Sequence, residues 1–380
     1  MKRIGLVYPS KDPMSPRNWS GTPHGLSSGL TSLGIQVVPI PCILPLWQRA
    51  PVAVRSRLPK LGYMTFHRSL EYTTARSRSI SDAIAKAGEI DGFIAMGTDL
   101  YDLQLATQRT RAPIVTYDDG TFALFLRYPD SDISTLALPD EEVSRWIGLQ
   151  RLACRHADTA CVSTTWAKRS VVDDFQVPDH RVQVVGMGHT PRSIDRGIRN
   201  FDVPRFLFVG VDWKRKNGAA VLKAFAKVRA QIPSATLAVV GQHPPFEQPG
   251  VEGYGFLARE NPAGQRLLDQ LFASATVFVL PSLFDPSPIA YLEAASAGLP
   301  VIATTCGGAG ELLGDASISV DPYDNEALYN AMMRLSDGAL ARSMGMLALV
   351  RSANSRWRDV SERIVSRLIS IGANKKLALN

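Results

Sequence analysis

Short apolar runs and stretches of helical period alternate along most of the chain. In the first half, strand-like runs fall at 4–8, 35–40, 92–96, 114–117, 159–163 and 182–185. Apolar positions at helical spacing predict helices over 25–33, 76–87, 103–108, 141–156 and 165–174. The pattern breaks at Gly186-Met187-Gly188-His189-Thr190-Pro191 and gives way to a polar stretch, 192–202. It then restarts, with strands at 206–209, 236–241, 277–281 and 301–304. The helices of this half fall at 218–231, 267–274, 289–297, 326–336, 340–350 and 355–371. Alternation of this kind is the mark of βαβ units around a parallel sheet. No period of 20–50 residues repeats, which excludes a solenoid. The expected fold is α/β, two doubly wound Rossmann-like domains joined near residue 195 and facing across a cleft at their strand ends. The first covers 1–195 and the second 203–354.

Composition narrows the class. A chain of 380 residues, 45% apolar and 20% charged, is long enough for two or three domains and is neither disordered, collagenous nor coiled coil. The four cysteines (Cys42, Cys154, Cys161, Cys306) form no C-x-x-C and have no histidine at zinc spacing, as expected of reduced thiols in a cytosolic protein. The apolar stretch at the N-terminus is too short for a signal peptide. The longest apolar-looking segment, 37–47, carries three prolines and falls short of the ~18 residues a spanning helix needs.

The net charge of +7 is unevenly placed. No acidic residue lies between Asp12 and Glu71, whereas Arg17, Arg49, Arg55, Arg57, Lys60 and Arg68 do. Leu44, Leu46, Trp47, Leu58, Tyr63 and Phe66 are interleaved with them. Segment 44–68 therefore suits an anionic membrane surface or a lipid-linked acceptor, or else packs on its own domain. No helix-turn-helix, RNP or zinc-finger pattern accompanies it, so nucleic acid is not an expected partner.

The most informative stretch runs from Leu280 to Ile302. A buried strand ends at Pro281, Asp285 stands where an N-cap would, and Gly298 with Pro300 closes the helix. The N–H groups at such a helix start, with the macrodipole behind them, favour a phosphate. On one helix, the eight residues from Asp285 to Glu293 give roughly 12 Å of rise and about 80° of rotation. Two carboxylates so placed cannot share a proton or a metal, but can touch opposite ends of an elongated ligand. Each also has a plain reading, Asp285 as a cap and Glu293 as a surface helix residue.

This stretch resembles the E-x7-E signature of retaining GT-B glycosyltransferases of group 1 (GT4), with Asp285 in place of the first Glu. The segment from Phe206 to Gly218 is similar to the family's strand–loop–Lys-Gly element. Gly241-Gln242-His243-Pro244, Gly253-Tyr254-Gly255-Phe256-Leu257 and Gly307-Gly308-Ala309-Gly310-Glu311 resemble its later loops. In the first half, Trp19-Ser20-Gly21-Thr22-Pro23, Asp119-Gly120-Thr121-Phe122 and the segment from Val162 to Ala167 do likewise. The blocks occur in order over most of the chain, and their joint match is specific where each alone is weak.

The resemblance implies transfer of a sugar from a nucleotide-diphosphate sugar to a hydroxyl acceptor with retention of configuration. The acceptor would be a lipid-linked or cell-envelope glycan or a glycosylated small molecule. It implies an acceptor-binding first domain, a donor-binding second domain, and a last helix, about 355–380, that packs back on the first. Lys216 would clamp the donor diphosphate, with Lys214 or Arg215 as a second cation where the family's usual Arg is Val211. Glu293 would accept from the ribose hydroxyls and Asp285 from a sugar hydroxyl. Ile289 and Ala290 would donate backbone N–H groups, because Pro288, in place of a common glycine, has none. Phe256 and Leu257 would border the base, Gly21 would face the donor phosphate, and His24 and Asp119 would lie on the acceptor side, Asp119 nearest the reacting carbon. No D-x-D element stands at a strand end, so no metal or other cofactor is expected. The protein is expected in the cytoplasm, or peripherally on the inner face of the membrane. The rivals are a nucleotide-sugar 2-epimerase and a catalytically silent nucleotide-sugar-binding protein on the same fold.

Overall fold

Strand β1 (Arg3–Val7) is buried along almost its whole length, as an apolar run must be at the centre of a parallel sheet. It pairs in parallel with β2 (Gln36–Ile40) on one side and β3 (Gly92–Ala95) on the other. Helix α1 (Thr22–Ser32) links β1 to β2, and α2 (Leu70–Lys86) precedes β3. Beyond β3 come α3 (Gln104–Thr107), β4 (Ile114–Asp118), α4 (Phe122–Phe125), α5 (Asp140–His156), β5 (Thr159–Val162), α6 (Thr165–Asp173) and β6 (Val182–Val184). Among the described residues the strands lie in the order β2-β1-β3-β4-β5-β6. These assignments come from a computed structural model that describes residues 1–44, 68–136, 138–192, 194, 195, 197 and 199–377.

A second parallel sheet has the order β12-β11-β10-β7-β8-β9. Its strands are β7 (Arg205–Asp212), β8 (Thr236–Gln242), β9 (Val251–Gly255), β10 (Val277–Val279), β11 (Val301–Thr304) and β12 (Ser317–Val320). Its helices are α7 (Gly218–Gln231), α8 (Pro262–Ser274), α9 (Ile289–Ser296), α10 (Asn325–Leu335) and α11 (Gly338–Ser352). Phe206, Phe208, Phe225, Phe272, Phe278 and Tyr291 fill its core.

The chain forms two units, His189–Arg356 and the remainder, Met1–Gly188 with Trp357–Asn380. The remainder is completed by α12 (Trp357–Leu377), which lies along α1. The contact is close because α1 presents glycines. A Cβ at Gly25 would stand 2.2 Å from the Trp357 ring, and one at Gly29 2.3 Å from the Trp357 carbonyl. Arg363 and Arg367 then tie α12 to the Val185 carbonyl (2.7 Å) and the Thr159 hydroxyl (2.9 Å).

Three details differ from the sequence pattern. Helix α2 starts at Leu70, ahead of its apolar period; the Thr73 and Ser77 hydroxyls, polar positions in that first stretch, are satisfied by bonding back to the carbonyls of Ser69 and Thr73. Strands β9 and β12 sit at the edges of their sheet and are half exposed, so they carry no apolar run for a pattern to detect. Helix α9 begins at Ile289, with Pro288 rather than Asp285 at its N-cap. A residue before proline is held out of the helical region, and both Asp285 and Ser287 precede one. Asp285 therefore stays in the loop.

Candidate functional site

In the second sheet the chain runs from β7 to β8 and β9 on one side, and resumes with β10 on the other. The crossover direction reverses between β7 and β10, and ligands of open α/β sheets bind beyond the carboxyl ends of strands at such a reversal. The loops leaving β7 and β10 carry Arg215, Lys216 and Asp285.

Local backbone geometry brings these three together. The register of β7 shifts between Val209 and Asp212, and Asn217 takes a left-handed φ of 61°. The chain thus turns sharply into α7. Lys216 Nζ donates to Asp285 Oδ2, with Arg215 Nη1 3.7 Å from the same oxygen. The Ser282 hydroxyl also donates to it, at 3.2 Å. The loops join through their backbones as well: Leu283 N–H donates to the Arg215 carbonyl (2.8 Å), and Arg215 Nη1 donates to the Phe284 carbonyl (3.0 Å). Asp285 is only 5% exposed. Desolvating such a pair costs several kcal/mol per ion, about what the attraction returns, so its chief effect is to fix geometry.

The following turn is built against the same residue. Asp285 N–H donates to the Cys306 carbonyl at 3.2 Å. Gly307, at φ +98°, passes so near that a Cβ would stand 2.1 Å from the Asp285 carbonyl. The buried Tyr291 hydroxyl donates to the Leu280 carbonyl (2.7 Å) and accepts from Thr304 N–H (3.0 Å), which pins the start of α9 against β10 and β11. Burial holds that hydroxyl's pKa well above the ordinary tyrosine range. Ile289 and Ala290 form the first turn of α9, where N–H groups lack intrahelical partners.

Glu293, one helical turn further on, makes a different contact. Its Oε2 accepts from Arg192 Nη2 at 3.3 Å, and Arg192 Nη1 donates to Asp269 on α8 at 2.9 Å. The guanidinium lies 4.7 Å over the Phe272 ring. Burial alone would lower its pKa; Glu293 and Asp269 outweigh that and raise it. Sequence reasoning missed Arg192, which falls in the stretch read as a polar connector. Its partner lies 101 residues away, and no local signal could name it. Phe256 follows the edge strand β9 and is 56% exposed, with Leu257 half-buried beside it. Behind them Gly255 N–H donates to His243 Nε2 at 3.2 Å.

The first unit has its own reversal, between β1 and β3. After β1, Trp19, Ser20 and Gly21 take consecutive left-handed φ values of 37°, 55° and 84°, and Gly21 caps α1. His24 is exposed, with Nδ1 3.3 Å from the Met14 carbonyl. Asp119 follows β4 directly and is half-buried. Its neighbour Asp118, not singled out by the sequence, accepts from the Thr98 hydroxyl at 2.9 Å. Burial pushes the Asp118 carboxyl up to about 8; the Thr98 bond opposes this, and Asp99 and Asp119 add to it. Arg68 pairs with Asp99 and lies 5.1 Å over the Phe122 ring.

Among the described residues, no group of three or more His, Cys, Asp or Glu side chains could hold a metal ion, and no helix is long and apolar enough to cross a membrane. The basic segment 44–68 lies, apart from Leu44 and Arg68, outside the described residues.

Comparison with known proteins bears on the family and the fold. Residues 203–337 match the model of a family described as glycosyl transferases group 1. A sucrose synthase from Acidithiobacillus caldus is 35% identical over 99 residues, 25% of this chain and 12% of that protein. A GDP-mannose-dependent alpha-(1-6)-phosphatidylinositol monomannoside mannosyltransferase from Mycolicibacterium smegmatis is 30% identical over 172 residues, 40% of this chain and 44% of that one. The matches thus span less than half the length of these two relatives. Over the whole fold, a sucrose-phosphate synthase structure from Thermosynechococcus elongatus superposes with a TM-score of 0.72 at 18% identity, covering 98% of this chain and 100% of that one.

Proposed function

With residues 203–337 belonging to the glycosyl transferases group 1 family and the chain folded as a GT-B protein, we propose that it is a retaining glycosyltransferase. It moves a sugar from a nucleotide-diphosphate donor to a hydroxyl acceptor. The observation that carries this reading is the convergence of Lys216, Arg215 and Asp285 at the β7/β10 reversal, ahead of the first turn of α9. As the glycosidic bond breaks, negative charge grows on the departing diphosphate. Lys216, Arg215 and the N–H groups of Ile289 and Ala290 would stabilise it without reorganising. Side-chain cations in that role support a reaction that needs no metal. Asp285, which orients Lys216, would accept from a sugar hydroxyl, and Glu293 from the ribose. In a front-face displacement the departing phosphate oxygen takes the acceptor's proton, so no protein nucleophile is required.

A lipid-linked acceptor at the inner face of the membrane is the acceptor class we favour. Basic and apolar residues are interleaved through 44–68, and a cavity of about 970 Å³ opens between β2 and α2, lined by apolar side chains such as Val38, Ile40 and Ile43 and by charged ones, Arg78 and Lys86 beside Glu71 and Asp82. A relative is also named for a phosphatidylinositol mannoside acceptor.

The test is incubation with UDP-, GDP- and ADP-sugars, with and without EDTA, in the presence of lipid extract. Release of nucleoside diphosphate with a glycosylated lipid of retained anomeric configuration supports the proposal. Tight binding without turnover would make the chain a silent binding protein, and conversion of the donor sugar would make it an epimerase.

A further inference from the structure

Stretch 189–202 does more than connect. Two of its arginines grip the helix pair α8 and α9. Arg199 donates to the carbonyls of Phe272 (2.9 Å), Ala297 (2.9 Å) and Gly298 (3.1 Å), which closes the C-terminal ends of both helices. Arg192 works further up the same pair. It bonds Asp269 on α8 and Glu293 on α9, and its flat guanidinium rests over Phe272. Its side chain is 10% exposed and that of Glu293 9%. Only Oε2 of Glu293 is engaged by Arg192; Oε1 has no hydrogen-bond partner among the described residues.

We propose that Arg192 is a positioning residue for donor recognition: by holding Glu293 Oε2 it fixes the carboxylate plane and leaves Oε1 to accept from the ribose hydroxyls of a nucleoside diphosphate. The inference rests on the ribose role of Glu293 proposed above and adds the group that sets its geometry. A carboxylate on an unbranched stem turns freely about its last torsion. A guanidinium anchored on a second carboxylate and an aromatic face removes that freedom before the ligand arrives. Arginine suits the task where lysine does not, because its planar fork can bond Asp269 and Glu293 at once.

The test compares, by calorimetry on the full chain, binding of UDP, GDP and ADP with binding of their 2′,3′-dideoxy counterparts. A hydrogen bond to a charged group corresponds to roughly a tenfold preference for the ribonucleotide. Arg192→Gln should bring that ratio close to one while weakening the dideoxy nucleotide little. Arg192→Lys should recover part of it. On a Glu293→Gln background, Arg192→Gln should change the ratio no further. Equal loss of affinity for both nucleotides would mean that Arg192 only holds the helices together, and would overturn the inference. Tighter ribonucleotide binding by the variant would overturn it as well, by making Arg192 a competitor for Glu293. If Arg192→Gln does not fold, Asp269→Asn decides, since it releases the other arm of the guanidinium. A lowered ratio supports the inference and an intact one overturns it. Failure of the wild-type chain to bind any of the three diphosphates would instead remove the donor reading itself.

Discussion

Lys216 and Asp285 are 69 residues apart in sequence and directly bonded in the structure, across the one point where the second sheet reverses its winding. A cation placed there can serve a phosphate only while its aim is held, and Asp285 holds it. Replacing Lys216 by Ala should lower turnover by about 10²–10³, the usual cost of losing one preorganised donor to developing charge. Lys216→Arg should lose less. Steady-state nucleotide release measures both, and near-normal turnover in the alanine variant would take Lys216 out of the site.

Gly307 offers a test that needs no substrate. At φ +98°, with a Cβ position 2.1 Å from the Asp285 carbonyl, it admits no side chain without displacing that loop. Gly307→Ala should cost about 1–3 kcal/mol in chemical denaturation, from backbone strain alone. It should also disturb the Lys216 contact and so depress activity. Wild-type stability would show that the turn relaxes freely.

The alternation of strands and helices was legible because buried parallel strands must be apolar throughout, whereas the edge strands β9 and β12 escaped that rule. The candidate site was legible in part. Lys216, Arg215 and Asp285 lie in short loops whose Gly, Asn and Pro residues announce sharp turns. The role of Asp285 as an N-cap did not follow, since Pro286 and Pro288 delay the helix to Ile289. Arg192 and Asp118 were silent in the sequence. What matters at each is burial beside a distant charge, a property of tertiary packing that local pattern does not carry.

Trp357 fills the space that Gly25 and Gly29 leave on α1, and is 6% exposed. Trp357→Ala should destabilise the first unit by about 3–5 kcal/mol, as large cavities in packed interiors do. Limited proteolysis would then cut within α12 before the second unit is touched. Unchanged protection of α12 would mean that its arginine contacts suffice.

Charge in 44–68 should matter only where lipid is present. Replacing Arg49, Arg55 and Arg57 by Gln removes three cations, each worth about 1 kcal/mol near an anionic surface. Co-sedimentation with vesicles of one part phosphatidylglycerol to three of phosphatidylcholine should fall sharply, and more so at low salt. Activity on a soluble acceptor should stay unchanged. Equal sedimentation of both proteins would leave the segment a structural one.

Asp118 gives the first unit a pH dependence of definite sign. Burial holds its carboxyl at a pKa of about 8 in the folded chain, against about 3.8 for an ordinary aspartate, so folding takes up a proton between those limits. Below about 4 both states are protonated and the group is neutral to stability. As pH rises from there to about 8, the unfolded chain gains an ionised, hydrated carboxylate that the folded one cannot match, and stability falls. Above 8 both are ionised and the decline stops. Asp118→Asn removes this term, so the variant's melting temperature should exceed that of the wild type by a margin that grows from pH 5 to pH 8. A margin constant over that range would mean that Asp118 is already ionised in the folded chain, with solvent or a ligand, rather than a retained proton, satisfying it.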